Sequence, residues 1–568
     1  MNLNKANRFA SNPTSLDISR SRFARPFTHK TTINAGDLVP IFWDEVLPGD
    51  TFDLDVSFVA RMLTPVVPVM DNCFIDLYHF FVPNRLLSSV IVSNSSNTND
   101  WETFMGANKS GFWARSTETV LRSIKFYGCE PNSVAQYLGL PIYDVANNPS
   151  GGEVLCNVNA IPFACYNLIY NEWFRDQNLI APIPLDNGFG KSVICGGSTV
   201  TGFSYGGNYG IAGSILKASK FHDYFTSCLP APQKGDSVLL PLGDTAPVIA
   251  RPTTHEIDEF TPITFNTIVG QGFANKPLII KGDCKLSTGT QEVEPMSSGY
   301  DIPAPNNLYA DLTNATAATV NQLRQAFAVQ RLLEKDARGG TRYFEMLKAH
   351  YGTAPEDLII QRPEYLGGTR VPINVDQVLQ TAPTNDVSPL GFTGAFSNTG
   401  NKSKGYIKSF TEHGVVMTIA VIRNSQSYCQ GIPRSFTRFN RFDYYFPVFA
   451  NLGETPVKKS EIFADISGSD DVFGYQEAWA EYRYRPNLVS GYMAPTSGDK
   501  SLASWTYCNN FASKPVLNKA FIEQNKENIG DTLVQPTTKT QFVCDFFFDL
   551  KCTRPMPVYS IPGLIDHH

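Results

Sequence analysis

QFVCDFFFDLKCTRPMPVYSIPGLIDHH, residues 541–568, is the stretch that decides the fold. Phe542, Cys544, Phe546, Phe548, Leu550 and Cys552 take every second position, with Val543, Asp545, Phe547, Asp549 and Lys551 between them. A period of two sends the first set to one face of a β-strand and the second to the other. The first face is wholly apolar and has to be buried. The second mixes charge with Val543 and Phe547, so it meets partly wet surface or another subunit. Pro555, Pro557 and Pro562 then forbid helix and central strand alike. The tail still carries Val558, Tyr559, Ile561, Leu564 and Ile565, and so needs an apolar surface to lie on.

The same period recurs far upstream. Phe52, Leu54, Val56 and Phe58 alternate with Asp53, Asp55 and Ser57, after a turn at Pro48-Gly49. Residues 72–82 form a more continuously apolar strand closed by Pro83, and 404–411, 414–423, 440–449 and 479–485 are further strand candidates. GVVMTIAVI (414–422) is too short to cross a membrane and fits a buried strand. Strands spread along the whole chain, with long excursions between them, predict one mainly β barrel or sandwich with large insertions. Helices belong to the excursions. Pro162 opens one that carries Phe163, Tyr166, Ile169 or Tyr170, and Trp173. Val320, Leu323, Phe327 and Leu333 form a second stripe behind Thr316 or Thr319. Thr341 caps a third, with Phe344, Leu347 and Tyr351, stopped by Gly352.

Over 568 residues, only 18% are charged while 12% are aromatic, the balance of a chain that neighbours cover on several sides. The eleven cysteines include no C-x-x-C spacing, so neither a zinc site nor a disulfide framework is indicated. MNLNKANRFASNP has no apolar core of a secretory signal, and the chain reads as soluble and made in a reducing compartment.

Charge is segregated. Up to residue 30, Lys5, Arg8, Arg20, Arg22, Arg25 and Lys30 face Asp17 alone, a net +5; the whole chain is −6, so residues 31–568 carry −11. Residues 1–35 therefore read as a basic arm. Its six cations, interleaved with Phe9, Phe23 and Phe27, can neutralise phosphates and stack on unpaired bases. Residues 235–318 are the opposite, ten acids against four Lys/Arg, and read as an inserted surface subdomain of short strands and loops. The divisions are thus 1–35, 36–234, 235–318 and 319–568.

Catalytic patterns fail in detail. Gly190-Lys191-Ser192 has Leu185 where a phosphate loop needs glycine, and His255-Glu256-Ile257-Asp258-Glu259 lacks the second histidine of a zinc helix. Gly206-Gly207-Asn208-Tyr209-Gly210 lacks the strand–helix setting of a dinucleotide site. No G-x-S-x-G elbow occurs. His79 and His413 read as structural. No catalytic residue, cofactor or metal is expected. A secreted-type β-sandwich carbohydrate-binding protein or glycosidase is the competing reading, since any two carboxylates can meet in space.

The 541–568 tail closely resembles the C-terminus of gokushovirus (Microviridae) major capsid proteins. So do DLVPIFWDEVLPGDTF (37–52), TPVVPVMDNCFIDLYHFFVPNRL (64–86), YNLIYNEWFRDQNL (166–179), FHDYFTSCLPAPQKG (221–235), LEKDARGGTRYFE (333–345), QRPEYLGGTRVPIN (361–374), SFTEHG (409–414) and DVFGYQEAWAEYRY (471–484), in the family's order. The resemblance implies a viral jelly roll, two antiparallel sheets in Greek-key order with long loop insertions. It implies a structural protein, not an enzyme, that self-assembles into an icosahedral T=1 shell around single-stranded DNA, which the arm would contact. It implies that 235–318 forms a threefold protrusion that meets a host receptor. It also implies internal scaffolding, pilot and small DNA-binding proteins as partners, assembly in the bacterial host cytoplasm, residence in the virion, and no membrane insertion.

Overall fold

The computed structural model describes residues 19–90, 101, 105, 123–126, 129, 131–142, 156–183, 185, 192–193, 215–238, 248–250, 279–281, 285–288, 291–292, 308–310, 320–354, 360–381, 390–391, 393–464, 471–495, 502–534 and 540–559. Its body is built from β1 (Ser21–Ala24), β2 (Phe27–Ile33), β3 (Val39–Val46), β4 (Thr51–Met62), β5 (Cys73–Pro83), β6 (Glu364–Pro372), β7 (Thr399–Ser409), β8 (Gly414–Asn424) and β9 (Phe542–Arg554). One sheet runs β2-β9-β4-β7, with β1 also on β9; the other runs β6-β5-β8-β3. Every pairing in both is antiparallel.

The pairs β2·β9, β3·β8, β4·β7 and β5·β6 join strands β2–β5 to strands β6–β9 in reverse order. The chain is thus a long antiparallel ribbon folded over into two sheets, which is the jelly roll. Residues 84–363 leave at the ribbon's closing end, between β5 and β6, and residues 425–541 leave between β8 and β9. Both excursions begin and end at strand termini, so they interrupt no ladder.

Between the sheets lies the core. Phe52, Leu54, Val56, Phe58, Ala60 and Met62 of β4 meet Phe542, Cys544, Phe546, Phe548, Leu550 and Cys552 of β9, all buried. Phe546 stands opposite Phe58 on one side and His29 on the other. The Phe548 ring stacks on Phe27 at 5.2 Å and on Phe42 at 5.1 Å between centroids. Fully burying side chains of this size contributes roughly 1.5–3 kcal/mol each.

The second sheet is covered on its other face as well. α1 (Ile161–Ile169), opened by Pro162, lays Phe163, Tyr166 and Ile169 on Val415, Met417, Ile419 and Val421 of β8. The Tyr166 hydroxyl donates to the Leu38 carbonyl at 2.8 Å and accepts from the Leu216 amide at 3.1 Å. Two buried faces are why β8 is apolar without alternation, whereas β4 and β9 alternate. A third cluster, around Phe225, Tyr428, Val457, Phe473 and Phe521, ties residues 224–229 to the excursion before β9.

Three expectations change. Residues 440–449 and 479–485 are not strands but 3₁₀ turns at Arg441–Asp443, Pro447–Phe449 and Ala480–Tyr482. Asp443 accepts the Phe439 and Asn440 amides at 2.9 and 2.7 Å and curls the chain, Pro447 lacks a ladder donor, and Trp479 sits at φ +64°. Thr341 does not cap its helix: α3 (Tyr343–Tyr351) starts two residues on, and the Thr341 amide donates instead to Gln177 Oε1 at 2.9 Å. Within the inner part of the expected arm, Ser21–Ala24 and Phe27–Ile33 are strands β1 and β2, because Ile33 is buried between the sheets and the half-exposed Phe27 stacks on the buried Phe548.

By its contacts the chain divides into two compact units, residues 1–232 with 336–568, and residues 233–335. In the second, Val248–Ala250 pairs with Leu308–Ala310, and Ile279–Lys281 with Lys285–Thr288, which also pairs with Gln291–Glu292. α2 spans Val320–Gly339, and none of its side chains is buried. Thr316 and Thr319 lie outside the described residues.

Candidate assembly and nucleic-acid surfaces

Of the six arm cations, Lys5 and Arg8 lie outside the described residues. The other four are exposed along one sheet. Arg22, outward on β1, reaches Asp53 of β4 at 3.4 Å. Arg25 binds Asp44, which also faces Arg554 at 3.7 Å. Arg554 in turn holds the buried Asp50 at 3.1 Å, and burial raises the Asp50 carboxyl above its ordinary range. Arg20 lies beside Gly49 at the same end. Lys30 stands opposite Asp545 on the outer face. An exposed pair such as Arg22–Asp53 contributes about 0–1 kcal/mol and exchanges readily for another anion.

A larger feature lies in the excursion before β9. Residues 432–452, IPRSFTRFNRFDYYFPVFANL, raise a row of apolar side chains into solvent: Phe439 is 85% exposed, Val448 86%, Phe436 73% and Phe442 61%. The base beneath them is fastened. Arg438 donates to Glu481 at 2.9 Å and stacks 4.3 Å over the Tyr482 ring. Arg434 reaches the buried Glu461 at 3.2 Å. The Trp479 indole donates to the Phe449 carbonyl at 3.0 Å. Two of the segment's arginines are thus consumed internally, so what projects is mainly apolar. Apolar side chains exposed together in this way suit a contact with another protein. The outer face of the first sheet adds exposed Val59, Ile407, Val543 and Phe547, and the tail adds Val558 and Tyr559.

Period analysis missed the 432–452 surface. Its available signal was Phe and Tyr mixed with Arg and Pro and no period at all.

Nothing among the described residues is arranged for nucleophilic chemistry. Burial pushes the Cys228 and Cys544 thiols up to about 12 and the His79 imidazole down to about 4. In a cleft of about 670 Å³ beside α3, both carboxylates are already engaged. Asp176 accepts the Asn178 and Leu179 amides at 2.9 and 3.0 Å, and Glu345 accepts Gln177 and Arg342, each at 2.9 Å. No helix among the described residues is long and apolar enough to cross a membrane.

The family described as "Capsid protein (F protein)" matches residues 11–564. The capsid protein VP1 of Bdellovibrio phage phiMH2K is 39% identical over 557 residues, covering 97% of this chain and 96% of that protein. The capsid protein VP1 of Chlamydia phage 1 is 35% identical, covering 98% of each chain. That of Spiroplasma virus 4 is 34% identical, covering 96% of each.

Proposed function

This chain belongs to the phage capsid protein (F protein) family, and from that premise we propose how a structural, non-enzymatic gokushovirus major capsid protein makes and uses its shell. The shell is icosahedral, with one jelly roll per asymmetric unit. Neighbouring copies meet through the 432–452 patch, whose exposed aromatics on a fastened base are the observation that carries the reading. Each contact needs to bury only about 1,000–2,000 Å². Closure multiplies modest affinities, because each incoming subunit touches several already in place.

The basic N-terminal residues Lys5, Arg8, Arg20, Arg22, Arg25 and Lys30 contact the packaged single strand without sequence preference. The acidic insertion 235–318 faces outward, clusters at threefold axes and attaches to a host receptor. Scaffolding, pilot and small DNA-binding proteins assist assembly in the host cytoplasm.

The deciding experiment is electron microscopy with light scattering on the purified chain, with and without its scaffolding partner. Uniform closed particles are expected. Phe439→Asp with Val448→Asp is expected to leave a folded subunit, by circular dichroism, that forms none. Particles of undiminished yield from that variant would remove the patch from the shell contacts, and a wild-type chain that stays monomeric throughout would overturn the reading.

A further inference from the structure

The chain has a segment without a surface and a surface without a segment. Beyond Arg554 it leaves β9 as PMPVYSIPGLIDHH, residues 555–568. Val558 is 60% exposed and Tyr559 77%, so the first apolar residues of this tail find no cover on their own chain among the described residues. Pro555, Pro557 and Pro562 deny such a sequence helix or central strand, and residues 555–559 bend away from the end of β9, with the Met556 amide donating to the Arg554 carbonyl at 2.8 Å. Nine further residues follow Tyr559, and Ile561, Leu564 and Ile565 among them are equally apolar. An extended strand of that length spans roughly 30 Å. It is long enough to cross onto a neighbouring molecule.

The complementary surface is the 432–452 patch. Proline-rich segments are recognised by exposed aromatic side chains, because proline limits the backbone freedom lost on docking and rings pack flat against it. Phe436, Phe439, Phe442 and Tyr444 supply such side chains on a fastened base. The outer face of the first sheet suits this occupant less well. Among its described residues the large ring is Phe547, set among Asp53, Asp55, Asp545 and Asp549.

We propose that the C-terminal tail of one copy, residues 555–568, docks on the 432–452 aromatic patch of a second copy, so that neighbouring subunits are strapped together by an exchanged arm. The inference rests on the shell reading and names the segment that fills one of its contacts. It gives the tail's apolar residues their cover and the patch an occupant that costs little conformational entropy to order.

The test uses full-length chains of two isotopic compositions, mixed before assembly, with a photo-reactive phenylalanine analogue at position 559. Light scattering first establishes that particles form. Illumination followed by mass spectrometry is expected to join position 559 of one isotopic copy to residues 436–449 of the other. Phe439→Ser with Phe442→Ser is expected to abolish that product. A chain ending at Arg554 should remain folded and give particles at a yield lower by at least about tenfold, since the strap is repeated around the shell. Cross-links confined to single copies would overturn the proposal, as would products on another surface or a truncated chain that assembles undiminished. In each of those cases particles are present and the shell reading stands; a wild-type mixture that forms no particles removes both.

Discussion

Among single residues, His79 is a position where burial and ionisation conflict. It points between the sheets, is 1% exposed, and keeps one hydrogen bond, Nδ1 to Thr418 Oγ1 at 2.9 Å. Its Nε2 has no partner, and the ring lies 5.5 Å from that of Tyr406, whose hydroxyl is equally unpartnered. Desolvation lowers the folded-state pKa to about 4, against an ordinary value near 6.5. A base whose folded pKa is depressed takes its proton first in the unfolded chain. Its stability contribution is therefore complete above pH ~6.5 and lost progressively down to pH ~4, a total of about 3 kcal/mol. Urea midpoints of the subunit should fall through that window, and His79→Gln should flatten the fall relative to wild type. Parallel curves for the two proteins would show that the histidine is not responsible. His79 was legible in the sequence as a structural histidine in an apolar strand, but the loss of its second partner was not, because Gly405 and Tyr406 arrive from a strand far along the chain.

At the scale of elements, β9 carries two surfaces with different tasks, and adjacent phenylalanines separate them. Phe546 is fully buried between the sheets; Phe547 points outward from the same strand and is half exposed. Phe546→Ala should destabilise the isolated subunit by about 3–5 kcal/mol, the usual cost of an emptied aromatic site. Phe547→Ala should change it by less than about 1 kcal/mol, with any larger effect confined to particle yield. Denaturant midpoints on the disassembled protein, set beside scattering from assembly mixtures, separate the two. A subunit equally damaged by both changes would contradict one-sided burial of the first sheet. Alternation in β4 and β9 and its absence in β8 were both readable beforehand, since a strand's pattern reports how many of its faces are covered. The turns at 441–443 and 447–449 were not readable as turns, because aromatic residues mark strands only when burial is what selects them.

At the scale of the whole molecule, the ribbon explains how the jelly roll carries such long excursions without losing a ladder. The first excursion leaves where the ribbon closes, between β5 and β6, and the second between two strand ends. Lengthening a loop that is already closed costs only about 0.6 kcal/mol per doubling. Replacing 235–318 by a short Gly/Ser linker should accordingly leave particle formation intact while abolishing adsorption to host cells. Adsorption that survives the replacement would move host attachment elsewhere. The charged arm gives a second prediction at this scale. Residues 21–33 belong to the sheet, so the informative deletion is 1–18, which removes Lys5 and Arg8 and spares β1 and β2. The slope of log affinity for a labelled oligo-dT against log salt should become shallower by about 1.4, at ~0.7 per lost phosphate contact. An unchanged slope would assign the contacts to the sheet cations alone.

The sequence by itself determined the mainly β class, the inward face of the last strand, the doubly buried run at 414–422 and the capsid family. These follow from local periodicity and from long matching segments, and both are written within a few dozen residues at a time. Only the tertiary structure decided that β1 and β2 are part of the sheet, that 440–449 turns instead of pairing, and that the aromatics of 432–452 stand in water. Whether a side chain is covered depends on which partners the fold brings to it, and here those partners come from opposite ends of the chain, as β2 does to β9.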